Sequence, residues 1–372
     1  MQACIHAKPH TPIFTTCTPL RVLFEVPKLC SMGTTTWLTR SFSPPPIAVQ
    51  FGSDGIRLMQ LKGKGELDIQ SAVEVAAGDY AGIAEAFASF KGKECVVCLP
   101  STDVLIQHIR VAIDADDDAI QSELTKIDAR WQHAEIRNVC IKTTGTNTTA
   151  KQELLCVGVN RIESQRIVEN LESAGATVRA VTVPLYASIR AFDKLYRRDG
   201  DEKVTSMLID MDESSSLVMI AHGANCVFAH RIESCTDQVN EVWEPEVAQE
   251  PALLPISSAN SGEFERREDS KPRGLYEIPN NNQGVEALIS GELERCLRHH
   301  DALFPDRAVD RVIFTGRGAN DTDRCAAIAT VLGLEGFVAD PSAWIAGASD
   351  LAGGPAWTTA AGMCLRYAKE AA

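Results

Sequence analysis

Three short turns carry the residues whose types and spacing could do chemistry. Gly52-Ser53-Asp54-Gly55 joins two apolar runs within Ile47–Leu61, IAVQFGSDGIRLMQL. Asp210–Ser216, DMDESSS, joins two more within Ser206–Ile220. Thr315-Gly316-Arg317-Gly318-Ala319 follows a third apolar run. Backbone N–H groups in such turns can cradle phosphate oxygens, and a nearby carboxylate can hold a divalent cation through water. Gly52, Ser53, Ser214, Ser215, Gly316 and Gly318 are therefore candidate contacts to a phosphate-bearing ligand, with Asp210 the candidate metal carboxylate. The competing reading of the glycines is tight-turn geometry without a ligand.

Other reactive side chains fall into no constellation. His299-His300 reads as a surface pair on a helix, and Ser214–Ser216 has no base motif beside it. Cys95 and Cys98 form a single C-x-x-C inside a strand pattern, where an offset of three turns them to opposite faces. The remaining cysteines are scattered, as buried thiols of a reducing compartment would be.

The elements that position these turns follow from periodicity. The first two turns close β-hairpins. A further strand is expected near Leu67–Val75, a helix over Asp79–Phe90 and a buried strand at Cys95–Leu99. Residues 101–160 read strand, helix, strand, strand: Val104–Ile113, Ala119–Ala134, Ile136–Thr143 and Glu153–Val159. Helices at Ile162–Ala174 and Leu185–Tyr196 flank a strand at Val178–Val183. The second half repeats the order: the second hairpin, a third strand Ala224–Ile232, a helix Val285–Phe304, a strand Arg311–Thr315, a helix Asp321–Leu332, a strand Gly336–Val338 and a closing helix across Ala360–Ala371.

Two segments stand apart. Residues 1–46 end in three prolines and read as a loosely attached arm. Asp237–Glu286 holds 11 acids against 4 bases, five prolines and an Asn280–Asn282 run, and reads as a mostly disordered acidic linker. The 372-residue chain has net charge −14, which opposes nucleic acid or an anionic membrane as a direct partner. No apolar run is long enough to span a bilayer.

Taken together, these stretches resemble the actin-like ATPase superfamily, and within it the PilM-type assembly proteins of type IV pili, close in fold to the cell-division protein FtsA. IAVQFGSDGIRLMQL is similar to the family's first phosphate hairpin, and LIDMDESSSLVMIAHGANCVFAHRI to its second. LLCVGVNRIESQRIVENLESAGATVRAVTVPLYASIRAF is the most family-specific stretch. ELERCLRHHDALFPDRAVDRVIFTGRGA resembles the connecting helix and adenosine motif, and WTTAAGMCLRYA the closing helix.

The resemblance implies a duplicated α/β (ribonuclease H-like) fold of two lobes. Lobe I would span residues 47–203 with an inserted subdomain at about 101–160. Lobe II would span 204–350, interrupted by the linker at 237–285, and residues 351–372 would return to lobe I. It further implies ATP with Mg²⁺ as cofactor in the interlobe cleft and a cytoplasmic protein held at the inner membrane by the N-terminal tail of a PilN-like partner. The chain departs from the family at each nucleotide motif. Gln50 stands where the metal-positioning Asp is expected, Asp212 where a phosphate-approaching Gly is expected, and Arg317 replaces the second Gly of the adenosine motif. Carboxylates facing polyphosphate are repulsive. The expectation is a non-catalytic scaffold, with a working ATPase switch as the first alternative and an FtsA-like polymer as the second.

Overall fold

The computed structural model describes residues 44–62, 67–145, 150–198, 200–212, 215–233, 275–277 and 287–368. The arm over 1–43 and most of the acidic linker lie outside the described residues.

Lobe I begins with β1 (Ile47–Phe51) and β2 (Gly55–Leu61), whose side chains are almost all buried. β3 (Ile69–Ala76) pairs antiparallel with β2. α1 (Tyr80–Ala86) is capped by Asp79, which accepts from the Gly82 N–H at 2.8 Å. β4 (Glu94–Cys98) then joins β1 in parallel. Gln60 is fully buried in β2 yet satisfied: its amide donates to the carbonyls of Pro45 and Lys91 and accepts from the Lys91 N–H.

The insert follows as β5 (Val104–Ala112), α2 (Asp117–Ile127), β6 (Ala134–Thr144) and β7 (Lys151–Asn160), a three-stranded antiparallel sheet in the order β5-β7-β6. The helix expected over Ala119–Ala134 stops at Ile127. Asp128 turns extended there and caps a short 3-10 turn over Ala129–His133. That break drops Trp131 into a separate core with Ile109, Leu124, Leu154 and Cys156. Gly158 lies under the indole, where a Cβ would stand 2.5 Å from the ring.

The chain returns through α3 (Arg161–Ser173), β8 (Thr177–Thr182) and α4 (Pro184–Ala191), which ends in a π-helical turn at Phe192–Tyr196. Asn160 caps α3, and Gly175 at φ +89° closes it. β8 completes the first sheet, ordered β3-β2-β1-β4-β8.

Lobe II repeats the plan with β9 (Thr205–Met211), β10 (Ser215–His222), β11 (Asn225–Glu233), α5 (Ala287–Leu303), β13 (Arg311–Thr315), α6 (Thr322–Leu332), β14 (Glu335–Ala339) and α7 (Thr358–Ala368). Between β11 and α5, β12 (Leu275–Glu277) adds antiparallel to β14, so part of the stretch read as linker is strand. The sheet runs β11-β10-β9-β13-β14-β12. In both lobes three antiparallel strands are followed by two parallel ones, the order 3-2-1-4-5 twice over. The helix after the fifth strand crosses in each case. α4 of lobe I packs under β10 and β11, whereas α7 of lobe II packs under β1, β2 and β4. The two meet closely, for a Cβ on Gly362 would lie 2.0 Å from the Ala187 carbonyl oxygen.

His300 departs from the surface-pair expectation. It is fully buried, its Nε2 is 2.9 Å from His222 Nε2, and its ring lies beside Phe304. Consecutive helix residues point about 100° apart. His299 accordingly turns outward, to Phe228 and to His108 of the insert.

Candidate functional site

The duplication brings the three turns to one place, the cleft between the lobes. The two hairpin turns are built alike. The Gly52 N–H donates to the Gly55 carbonyl at 2.9 Å, and the Asp212 N–H donates to the Ser215 carbonyl at 2.9 Å. Gly52 and Asp212 are thus equivalent positions of two copies of one turn, with opposite side-chain chemistry.

Across the cleft the copies bond to each other. The Ser53 N–H donates to Asp212 Oδ2 at 3.2 Å, so the first turn's outward N–H already holds a carboxylate. Ser215 Oγ lies 2.9 Å from Ser101 Oγ of lobe I, and Arg231 donates to the carbonyls of Ser101 and Thr102. Ser214 lies outside the described residues.

Asp210 is the penultimate residue of β9 and faces inward. Ser188 Oγ of α4 and Thr359 Oγ1 of α7 each donate to its Oδ2 at 3.1 Å. These hydroxyls, themselves 2.9 Å apart, belong to the two crossing helices. Burial pushes the Asp210 carboxyl above its usual range, and the Asp212 charge pushes it further, while the hydroxyl bonds oppose both. Its bonds thus join one helix of each lobe at a single side chain.

The third turn supplies both a glycine constraint and a plug. Gly316 has φ +81°, and a Cβ there would stand 2.4 Å from the Met211 carbonyl and 2.6 Å from Asp210 Oδ1. Gly318 likewise has no room against the Met211 side chain. Both glycines are therefore required by close packing on β9, whether or not a ligand approaches. Arg317, between them, ion-pairs with Asp54 and Glu74 of lobe I. Arg57 pairs with the same two acids, with Asp54 directly and with Glu74 at 3.2 Å. Asp54 and Arg57 are nearly buried, whereas Arg317 and Glu74 lie at the rim.

Among the described residues, a cavity of about 30 Å³ in the cleft is lined by Gln50, Arg57, Asp210, Asp212, Gly316 and Arg317, among others. That is room for a water or two. Gln50 Oε1 is buried there without a hydrogen-bond partner. A neutral amide in place of a carboxylate is a poor holder of Mg²⁺. Asp210 and Asp212 line this cavity, and the Arg57 and Arg317 guanidiniums beside them are already paired with Asp54 and Glu74, an arrangement unfavourable to polyphosphate. The residues present do not fit an Mg–nucleotide in this arrangement.

The sequence had singled out Asp212 and Arg317 as misfits. It gave no sign that Ser53 meets Asp212, that Asp54 and Glu74 meet Arg317, or that Ser188 and Thr359 hold Asp210, since each lies on an element distant in the chain. The thiols offer no second site. Cys95 and Cys98 are both buried, and burial pushes Cys95 up to about 12. Among the described residues no cluster of three or more His, Cys, Asp or Glu side chains could hold a metal ion.

The repeated 3-2-1-4-5 sheets, crossed helices and shared interlobe cleft define an actin-like two-lobed fold. It is the fold of a chain in a solved structure described as a PilM–PilN type IV pilus biogenesis complex, with TM-score 0.62 and 11% identity, covering 87% of this chain and 98% of that one. A Bacteroides thetaiotaomicron protein described as having an actin-like ATPase fold matches at TM-score 0.42 and 9% identity over 82% of this chain and 93% of that one. The cytoplasmic domain of EpsL, an inner-membrane component of the Vibrio cholerae type II secretion system, matches at TM-score 0.35 and 15% identity over 60% of this chain and 89% of that one. No family model matches the sequence, and no curated protein does.

Proposed function

We propose that this protein is a non-catalytic, PilM-like scaffold of a type IV pilus or type II secretion-like inner-membrane platform. It works in the cytoplasm and is held at the membrane by docking the N-terminal tail of a PilN-like protein. The observation that carries the non-catalytic reading is the occupied cleft, where Asp212 holds the Ser53 N–H and Arg317 fills the rim. The fold likeness to a chain of a PilM–PilN complex supports the partner class. No helix among the described residues is long and apolar enough to cross a membrane.

The tail would add as an extended segment to the outer edge of β6, which pairs only with β7 among the described strands. Titrating the full chain with the tail peptide of a PilN-like protein tests this. Saturable binding, equal with and without Mg-ATP, is the expected result. No binding at high micromolar peptide would sink the docking reading.

The retained Asp210 favours one rival, an ATP-gated switch that uses this carboxylate at its metal. A thermal-shift series with Mg-ATP separates the two, because ligand at 100 times Kd stabilises by about 2.7 kcal/mol. A flat response at millimolar Mg-ATP is expected, and a rise of that size would replace the scaffold reading with the switch.

A further inference from the structure

We propose that the cleft is closed by a ligand the chain supplies to itself: the Asp212 carboxylate stands in for an external anion on the first turn, and Arg317 bolts lobe II to lobe I, so that the interlobe angle is set without a nucleotide. This deepens the non-catalytic reading and rests on the same cleft, but it concerns how closure is held and not which partner docks.

A turn N–H aimed across a cleft attracts an anion. The nearest anion here is covalently part of the opposite lobe, presented by the equivalent turn of the second copy. Its local concentration is therefore fixed by the fold, which gives an internal ligand an advantage over a dissolved one. The second element is electrostatic. Arg317 shares Asp54 and Glu74 with Arg57, so four side chains from the two lobes form one alternating network. A guanidinium can engage two carboxylates at once in a fixed fork. The third element is backbone. The Ile69 N–H donates to the Ala346 carbonyl at 3.0 Å, and the Ala346 N–H donates to the Leu67 carbonyl at 2.9 Å. That bridge ties the entry of β3 to the loop after β14, away from the turns. Three independent ties across the cleft are all made of the chain itself.

Amide hydrogen exchange of Ser53 in the full chain reads the first tie directly. In the unmodified protein this amide is expected to be protected, and millimolar Mg-ATP or Mg-ADP should leave its rate unchanged. Asp212→Ala should speed Ser53 exchange by roughly ten- to hundredfold, the worth of one charge-assisted hydrogen bond. Asp212→Asn, whose side-chain oxygen still accepts, should restore much of the protection. Exchange of β2 amides serves as the internal control for folding. The proposal is overturned if Ser53 exchanges equally fast with and without the Asp212 carboxylate, or if nucleotide changes Ser53 exchange in the unmodified chain. The second result needs no variant. Peptide docking is measured separately, so the self-closed cleft and the partner assignment can fail independently.

Discussion

The two hairpins show how one backbone plan comes to hold opposite chemistry. β1–β2 and β9–β10 close with the same N–H-to-carbonyl turn bond. In lobe I the position after the first strand is Gly52, and the turn offers a bare N–H and a buried Asp54–Arg57 pair. In lobe II the same position is Asp212, and the turn offers a carboxylate. A duplicated fold turns like surfaces toward each other across its cleft, and like charges there would repel. Making one turn a donor and its copy an acceptor lets the halves satisfy each other. This internal pairing is what the proposed scaffold role rests on.

That contrast can be broken most severely at its buried end. Asp54→Ala leaves the nearly buried Arg57 with only the half-exposed Glu74, and stripping a buried charge of its main partner costs about 3–5 kcal/mol. Urea denaturation should show the loss. The corresponding Asp212→Ala in lobe II, where the carboxylate is half exposed, should cost less, about 1.5–3 kcal/mol, in the same assay.

The third turn should respond next. Gly316→Ala combines a positive φ with a Cβ pressed onto the Met211 carbonyl, and a loss of about 2–3 kcal/mol is expected. Gly52→Ala meets a side-chain oxygen, Asp54 Oδ1 at 2.7 Å, at a non-positive φ and should cost less. A Gly52 variant as damaging as the Gly316 one would show that the lobe I turn is constrained by more than its pair.

Asp210 gives a signed pH test. Its carboxyl is raised above the usual value near 3.8 by burial and by Asp212. Between that value and the raised one the native state binds more protons than the unfolded chain, so this residue makes stability fall as pH rises through that window. Asp210→Asn removes the slope, and its unfolding free energy at neutral pH should equal or slightly exceed that of the parent. His222 runs the opposite way. Burial lowers it from 6.5 to about 4 and the neighbouring His300 adds to the effect, so stability is present above 6.5 and is lost as pH falls toward 4. His222→Phe should flatten that acid limb in thermal melts.

The smallest stability effect belongs to Arg317→Ala. The residue sits at the rim, and exposed ion pairs contribute about 1 kcal/mol or less. A change in interlobe distance by paired spin labels, without a matching change in melting temperature, would sharpen the view that Arg317 sets geometry more than stability.

The sequence by itself settled the elements and the duplication. Short polar turns between paired apolar runs at Ile47–Leu61 and Ser206–Ile220 read as hairpins, and the helix ends at Asp79 and Gly175 follow from capping chemistry. Gln50, Asp212 and Arg317 were also legible as misfits, because their charge and size conflict with a phosphate site whatever surrounds them. The break of α2 at Asp128 and the inward turn of His300 were not, since each is decided by a core assembled from distant segments. Only the tertiary structure decided what Asp212 and Arg317 meet. Ser53 and Asp212 are 159 residues apart, and Arg317 and Glu74 are 243 apart. Which donor meets which acceptor across such a separation depends on how the two lobes come together, with the crossed helices α4 and α7 packed against each other, a property that neither half of the chain encodes alone.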